Sequence, residues 1–506
     1  MVFSSITFLF LFLPLVLAAY HLVFLPVTLG IQPHLFRKLA NTLLFAVSIV
    51  FYFWGEKFLF ILLLISSIID FIAGWLISGA GFRGPVEALP IGTARTFWQR
   101  TWLTVALTGN LGLLCYYKYS GFLAENLNHL YAALGFPGVP VFYEALPLGI
   151  SFYTFNTMSY TIDVYRGHVR ATRSFLDFGC FVTMFPHLVA GPIVRYSDVD
   201  DALKNRMITR AMFARGIERF VIGLGKKVLI ANSVAPAAEE IFKLSVDAVG
   251  PGLAWFGLIA YAIQIYFDFS GYSDMAIGIA LMLGFEFREN FNYPYSARSV
   301  RDFWHRWHIT LSTWFRDYVY IPLGGNRESS ARTMTNLLLV FGLCGFWHGA
   351  SWNFLFWGLF HGLFLGMERL GWMAAIHRRT ILANAYTLVI VLLGWVLFRT
   401  ENLTHAAGFV RALAGMGGSL SLVDADSYRR ADIWTALILG CIFSYPLVPA
   451  LLRWLTNWSR GSQEAPLAGR QIALSSLQLC YLALVLVAST ASLAARTHNP
   501  FLYFRF

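Results

Sequence analysis

The sequence is poor in charge. Only 13% of its 506 residues are charged, whereas 57% are hydrophobic and 17% aromatic. So few charges cannot cover the core of a water-soluble protein of this length, which excludes a large soluble domain. Apolar runs long enough to span a bilayer recur at 6–29, 43–77 (two passes interrupted near Glu56 and Lys57), 337–365, 381–397, 433–451 and 472–494. The composition predicts an all-α polytopic membrane protein with about 11–13 membrane helices.

Several common catalytic and metal-binding patterns are missing. The five cysteines lie in apolar segments without a Cys-x-x-Cys pair, so we interpret them as packing residues. There is no Gly-x-Ser-x-Gly nucleophile elbow and no His-Glu-x-x-His motif. His305 and His308 lie three positions apart, but no third ligand accompanies them, so no metal site is predicted. The first apolar run lacks a basic segment before it, because the first arginine is Arg37, and we expect it to be a retained helix.

Basic residues exceed acidic ones, 38 to 27, for a net charge of +11. In membrane proteins such an excess marks cytoplasmic loops, and we assign 166–173, 204–227 and 298–332 to them. Anionic lipid or a phosphorylated cytosolic donor would fit these loops. Nucleic acid is not an expected partner, because the aromatic residues lie in the spans.

The chain shows neither a solenoid repeat nor a low-complexity tract, and we predict a single membrane domain over 1–506. Hydrophobic hairpins occupy 1–165, and a more polar, amphipathic region occupies 166–251. The polar motifs cluster in 252–366, which we predict to be the catalytic core, and plain hydrophobic helices fill 367–506.

The stretch 301–326, RDFWHRWHITLSTWFRDYVYIPLGGN, carries polar residues in helical spacing. On a helical wheel one face is apolar, formed by Trp304, Trp307, Leu311, Trp314, Phe315 and Tyr318. The opposite face is polar, formed by Asp302, Arg306, Thr310, Thr313 and Asp317. The pattern predicts one amphipathic helix with His308 at the edge of the aromatic face and His305 on a polar flank. We therefore expect His308 to face the protein interior.

Other ionisable residues lie inside apolar runs. His348 and His361 occur in FWHGASWNFLFWGLFHG, with glycines at four-residue intervals that favour close helix packing. The glycines do not account for His348, whereas a packing role suits His361. Asp268 and Asp274 interrupt the apolar run of FDFSGYSDMAIG and would orient an imidazole, coordinate a partner or cap a helix. A histidine acting as general base on an acceptor hydroxyl is the chemistry that these residues favour.

These motifs together resemble those of the membrane-bound O-acyltransferase family, in its bacterial alginate O-acetyltransferase-like subgroup. The resemblance rests on ENFNYPYSARS, the 301–326 stretch, FWHGASWNFLFWGLFHG, FDFSGYSDMAIG and the closing NPFLYFRF, and so runs nearly end to end. It implies a bundle with re-entrant or interfacial amphipathic helices around a central funnel. It also implies that His348 and His308 are the catalytic residues, whereas His305 stands where the family commonly has Arg.

The resemblance further implies transfer of an acetyl group from cytosolic acetyl-CoA to an exopolysaccharide. His348 would be the general base, and His308 would orient the donor or stabilise the oxyanion. No permanently bound cofactor is expected. The expected partners are periplasmic acetyltransferase proteins, a polysaccharide synthase complex and lipid of the bacterial inner membrane. Arg298, Arg301 and Arg306 are candidates for binding the donor phosphates. The predicted donor-binding or supporting residues are Asp268, Ser270, Asp274, Asn292, Arg301, Trp304, Arg306, Trp307, Ser312 and Trp347.

Two rival functions remain open at this point. Buried His and Asp also suit a proton-coupled glycan transporter, although no paired half-membrane repeats are evident. A non-catalytic scaffold of a synthase complex would make the histidines structural. The polymer is open too, with alginate ahead of cellulose or another glycan.

Overall fold

The computed structural model describes residues 2–80, 86–142, 144–372, 374–419, 428, 430–451, 453 and 467–495. These residues form helices joined by turns and loops, and no strand occurs among them. The chain divides into two compact units. The first unit comprises 1–217 and 276–288, and the second comprises 218–275 and 289–506.

The first unit is built mainly from eight helices of the N-terminal part of the chain. A short π-helix, Phe8–Phe12, precedes them. They are α1 (Leu13–Thr28), α2 (Pro33–Glu56), α3 (Phe60–Ser78), α4 (Phe97–Leu134), α5 (Ile150–Arg166), α6 (Phe175–Thr183), α7 (Phe185–Leu188) and α8 (Tyr196–Asn205).

A buried polar network joins α3, α4 and α5. Asp70 of α3 accepts hydrogen bonds from Asn110 Nδ2 (2.5 Å) and from the Thr161 hydroxyl. Asn110 in turn accepts a bond from the Ser66 hydroxyl at 2.6 Å. Such bonds contribute about 0.6 kcal/mol each within a membrane, and they specify which helices pack together.

Most of the remaining helices lie wholly in the second unit, while α9 and α11 contribute residues to both. They are α9 (Arg210–Gly225), continued by a π-helix (Lys226–Ala231), α10 (Asn232–Ile241), α11 (Pro251–Met282), α12 (Val300–Arg306), α13 (Ile309–Phe315), continued by a π-helix (Arg316–Tyr320), α14 (Ser330–His348), α15 (Trp352–Arg369), α16 (Ala374–His377), α17 (Thr380–Arg399), α18 (Leu403–Leu413), α19 (Ala431–Phe443) and α20 (Leu467–Ala495).

Six helical segments among the described residues are long and apolar enough to cross a membrane. They are Phe8–Thr28, Pro33–Ser78, Arg210–Ile241, Pro251–Met282, Thr380–Arg399 and Ser475–Ala495. This confirms a multi-pass all-helical membrane protein. The count of about 11–13 membrane helices stays a prediction.

The predicted apolar runs correspond to helices, and two of the runs are divided between consecutive helices. The run 43–77 is interrupted at Glu56, where α2 ends, as expected. The run 337–365 is divided between α14 and α15. The loop assignment of 204–227 is wrong over Arg210–Gly225, where α9 forms and belongs to a candidate span, whereas the amphipathic region predicted over the same stretch is helical there.

Glycines allow two close helix contacts in the second unit. A Cβ on Gly345 of α14 would lie 2.1 Å from the Phe354 carbonyl oxygen, and one on Gly358 of α15 would lie 2.0 Å from the Phe341 carbonyl oxygen. Gly223 of α9 and Gly271 of α11 face each other with similar closeness. Only glycine permits the backbones to approach this closely, as the spacing around His348 predicts.

Candidate active site

The helix predicted for 301–326 is interrupted at His308. Its φ and ψ of 43° and 54° are left-handed, so α12 ends at Arg306 and α13 begins at Ile309. Histidine is among the residues that adopt this region most readily, yet the conformation still costs about 1–3 kcal/mol and needs support from its surroundings. The prediction of one continuous amphipathic helix is therefore wrong.

The break leaves the predicted burial largely intact. His308 is 0% exposed, and His305 is exposed, which confirms the predicted contrast between them. The aromatic face is buried except for the half-buried Tyr318. Thr310 does not follow the wheel: it lies buried, 2% exposed, where its N–H and hydroxyl donate to Asn290 Oδ1.

Asn290 holds the segment around His308. Its Oδ1 lies 3.0 Å from His308 Nδ1, and it accepts bonds from the Thr310 backbone N–H (3.3 Å) and hydroxyl (2.9 Å). Its backbone carbonyl accepts a bond from the Ile309 N–H at 2.9 Å. Its Nδ2 donates to Ser273 Oγ of α11 at 3.0 Å. Asn290, itself 0% exposed, thus contacts three consecutive residues at the helix break.

His348 is the last residue of α14. It is 3% exposed, and its ring lies 5.1 Å from Trp357 of α15 and 5.3 Å from Phe398 of α17, between ring centroids. Gly349 follows in an extended conformation and Ser351 caps α15, so the chain reverses directly after the histidine. The close α14–α15 contact therefore fixes the position of His348 relative to α15.

Three imidazoles and three indoles lie in one continuous series, which we call the imidazole–indole row. Trp347 contacts both His308, at 6.4 Å, and His348, at 4.8 Å between ring centroids. Trp357 links His348 to His361, at 5.1 and 5.2 Å. The row is His308, Trp347, His348, Trp357, His361 and Trp304, the last at 5.1 Å from His361.

His361 lies between Trp357 and Trp304 in the row. Its ring lies against two indoles, and a Cβ on Gly394 of α17 would fall 2.6 Å from its Nε2. Gly394 therefore provides the space for this ring. The surroundings agree with the packing role that the sequence favours.

The two aspartates of α11 pair with cations and not with an imidazole among the contacts that the structure gives. Asp268 lies 2.5 Å from Lys227 Nζ, and both side chains are at most 2% exposed. Asp274 binds Arg219 at 2.7 Å and Lys226 at 2.6 Å. Both aspartates lie inside α11, so the helix-cap interpretation is wrong. We call these five residues the charged seam.

The other predicted supporting residues are distributed unevenly. Trp304, Trp307, Trp347 and Ser270 are buried, whereas Ser312 is half-buried and donates to the Trp307 carbonyl oxygen at 3.4 Å. Asn292 is exposed, and its backbone exchanges hydrogen bonds with Arg306. Asn290, two residues away, is the asparagine that contacts His308, and sequence reasoning missed it.

The predicted phosphate-binding arginines lie at the surface around α12. Arg298 and Arg301 are exposed, and Arg306 pairs with Asp302 at 2.8 Å. The Glu368 carboxylate accepts from the backbone N–H groups of Val300 and Arg301 at 2.7 and 3.1 Å. The Glu368 carboxylate thereby fixes the N-terminus of α12.

Electrostatics keep His308 neutral. The ring lies outside the six candidate spans, and burial lowers its pKa to about 3. Burial, and secondarily Arg301, also lowers the pKa of His305. A neutral buried imidazole keeps a lone pair on one ring nitrogen and can therefore accept a hydrogen bond. No group of three or more His, Cys, Asp or Glu able to hold a metal ion occurs in the described part of the chain.

The chain is similar in sequence to known proteins. A model of the membrane-bound O-acyltransferase family matches residues 147–400. The chain is 39% identical to the probable alginate O-acetylases of Azotobacter vinelandii and of Pseudomonas putida, over the whole of each chain. It is 34% identical to the peptidoglycan O-acetyltransferase of Helicobacter pylori, over 83% of this chain and 80% of that protein.

Proposed function

This chain belongs to the membrane-bound O-acyltransferase family, and on that premise we propose that it acetylates an exopolysaccharide with acetyl-CoA as the donor. It is a multi-pass membrane acyltransferase, and the bacterial inner membrane is its expected location. Alginate is the leading acceptor, because relatives of full-length similarity carry the name alginate O-acetylase.

One observation carries the proposal. His308 lies at the break between α12 and α13, and His348 is the last residue of α14, 40 positions later. The indole of Trp347, the residue before His348, nevertheless lies beside both rings. A scaffold needs no such convergence of two buried imidazoles. Acyl transfer does, because a base and a group that orients the donor must serve the same reacting atoms.

In the proposed reaction, His348 is the general base. It takes the proton of an acceptor hydroxyl while that oxygen bonds to the thioester carbonyl carbon, and the carbon–sulfur bond then breaks. The sulfur leaves as the CoA thiolate and takes the proton back from His348. The products are an acetyl ester, free CoA thiol and neutral His348. A positioned base of this kind contributes roughly 10²–10⁴ in rate.

The donor enters from the cytosol in this proposal. CoA is highly charged and does not cross lipid, and Arg298, Arg301 and Arg306 offer guanidinium groups to its phosphates. The acceptor is a polysaccharide hydroxyl or a hydroxyl on a periplasmic partner protein that completes the transfer beside a synthase complex. Cellulose is an alternative acceptor. Peptidoglycan is a further candidate, because the Helicobacter relative is named a peptidoglycan O-acetyltransferase.

The test is acetyl transfer in a reconstituted system. Purified protein in lipid nanodiscs, with its periplasmic partner proteins, is given acetyl-CoA labelled in the acetyl group and either alginate, cellulose or peptidoglycan. We expect labelled ester on alginate from the wild type and from His305→Arg, and none from His348→Ala. Label on another glycan alone would replace alginate as acceptor, and no label on any acceptor would favour the transporter or scaffold.

A further inference from the structure

We propose that Asn290 is a positioning residue that holds His308 in one tautomer, with the proton on Nδ1 and the lone pair on Nε2. In that tautomer His308 accepts a hydrogen bond from the acyl donor and does not donate one to the oxyanion. The tautomer follows from the protein alone, whereas the donor's identity rests on the proposed function.

The orientation of the Asn290 amide decides the tautomer. The atom facing His308 Nδ1 at 3.0 Å also faces the Thr310 backbone N–H at 3.3 Å. A backbone N–H only donates, so that atom must be the amide oxygen. The amide nitrogen, on the other side, then donates to Ser273 Oγ. Since an amide oxygen only accepts, His308 Nδ1 carries the proton.

A neutral imidazole has one proton on its ring nitrogens. With that proton on Nδ1, Nε2 presents a lone pair and cannot donate a hydrogen bond to a developing oxyanion. A protonated ring would donate from both nitrogens, but burial keeps the pKa of His308 far below neutral pH. Of the two roles that the sequence leaves to His308, orienting the donor is the one compatible with Asn290.

The chemistry of the donor matches an acceptor at Nε2. The pantetheine arm that carries the thioester of CoA contains amide N–H groups, which donate hydrogen bonds to a basic ring nitrogen. No proton is transferred in this contact, so the proton of the acceptor hydroxyl still passes to His348. His308 then fixes the thioester, and His348 activates the hydroxyl.

The backbone supports the same role for Asn290. His308 adopts a left-handed conformation that an isolated chain avoids, and Asn290 anchors residues 308, 309 and 310 together. A packing residue would need no bond to the ring itself. Asn290 therefore fixes both the position of the backbone and the direction of the imidazole.

The tautomer can be measured without any donor or acceptor. The protein is labelled with ¹⁵N in its histidine rings, and nitrogen NMR is recorded in lipid bilayers, with the His308 signals identified by their loss in His308→Gln. We expect a protonated Nδ1 and an unprotonated Nε2. A proton on Nε2 in the wild type would overturn the proposal.

A double-mutant cycle tests whether Asn290 acts through His308. Asn290→Leu should reduce the rate of acetyl transfer about 10- to 100-fold, by analogy with the loss seen when the partner that orients a metal-ligating histidine is removed. In the His308→Gln background the same change should cost nothing further. Losses that multiply would show that Asn290 acts independently of His308 and would overturn the proposal.

Asn353 provides the matched control. It is another buried asparagine of the second unit, and its Nδ2 donates to the Thr400 carbonyl oxygen at 2.8 Å and hydroxyl at 3.2 Å. Asn353→Leu should lower the unfolding temperature, and its effect on rate should multiply with that of His308→Gln. If the Asn290→Leu protein does not accumulate, the tautomer of His308 measured in the wild type still tests the proposal. Absence of acetyl transfer in the wild type would count against the proposed function and leave the tautomer result intact.

Discussion

The charged seam and the imidazole–indole row both bury polar side chains in the second unit, but they do so in opposite ways. In the seam, Lys227 and Asp268 neutralise each other at 2.5 Å, and Asp274 has two cationic neighbours. In the row, His308, His348 and His361 lie against indoles.

The difference lies in what removal of one member leaves behind. Removing Asp268 alone leaves Lys227 buried without its carboxylate, so the expected loss is a loss of folding stability. The imidazoles of the row lie against indoles, so removing one of them should lower the rate of the reaction wherever that ring takes part in it. Whether a buried polar residue in a membrane protein has a structural or a catalytic role is therefore indicated by its contact partners as well as by its burial.

The largest effect is expected at His348. His348→Ala should lower the rate of acetyl transfer about 10²–10⁴-fold, because the acceptor hydroxyl loses its base. Protein yield and unfolding temperature should stay close to the wild type, measured on the same preparation in detergent. Normal ester content in polymer made with this variant would refute the role of His348.

The second-largest effect is expected in the charged seam, at Asp268. Asp268→Ala should lower the free energy of unfolding by about 3–5 kcal/mol, because Lys227 remains charged and buried. Thermal unfolding in detergent measures this loss. The double variant Lys227→Met with Asp268→Leu should recover most of it, because no charge remains. If the double variant were as unstable as the single one, the pair would not be the source of the loss.

His308 should give a smaller loss than His348. His308→Ala should remove most activity, by about tenfold or more, because the acyl donor is no longer oriented. The effect should appear mainly in KM for acetyl-CoA if the ring binds the donor. An activity equal to that of the wild type would exclude His308 from the site.

His361 should respond as a packing residue. His361→Phe keeps a ring between Trp304 and Trp357, so the rate should stay within a few-fold while the unfolding free energy falls by less than about 1.5 kcal/mol. Acetyl-transfer rate and thermal unfolding are both needed here. A loss of rate as large as that of His348→Ala would extend the catalytic part of the row to His361.

The smallest effect is expected at His305. His305 is exposed, so His305→Arg should leave acetylation within twofold and unfolding within about 0.5 kcal/mol of the wild type. The assay is ester content of the polymer, run beside His308→Ala. An inversion of the two results would mean that the interior face of this stretch is misassigned.

Burial at the site was predictable, but conformation was not. The helical wheel places His308 inward because its apolar neighbours recur at helical spacing, and burial depends on those neighbours. The helical wheel does not predict the helix break at His308, because no Gly or Pro lies there to indicate one. The left-handed conformation of His308 is instead stabilised by Asn290, 18 positions earlier in the chain. The wheel consequently misplaces Thr310.

Two omissions have the same origin. Asn290 and Asn292 lie in an irregular segment without a period, so the sequence does not indicate which of them faces inward. Asp70 interrupts an apolar run just as Asp268 does, and that interruption is the signal that could have revealed it. Only the packing of α3 against α4 and α5 brings Asn110 and Thr161 to it.

The sequence by itself determined that the protein lies in a lipid bilayer and that it belongs to an acyltransferase family. Long apolar runs fix a helical membrane protein, because backbone groups in lipid must bond within their own helix, and the motifs around His308 and His348 identify the family. The tertiary structure decided the partners: which cation meets Asp268, which asparagine turns the His308 ring, and which indole joins the two histidines. Those contacts join residues far apart in the chain, and local periodicity carries no information about them, because they form only when the helices pack.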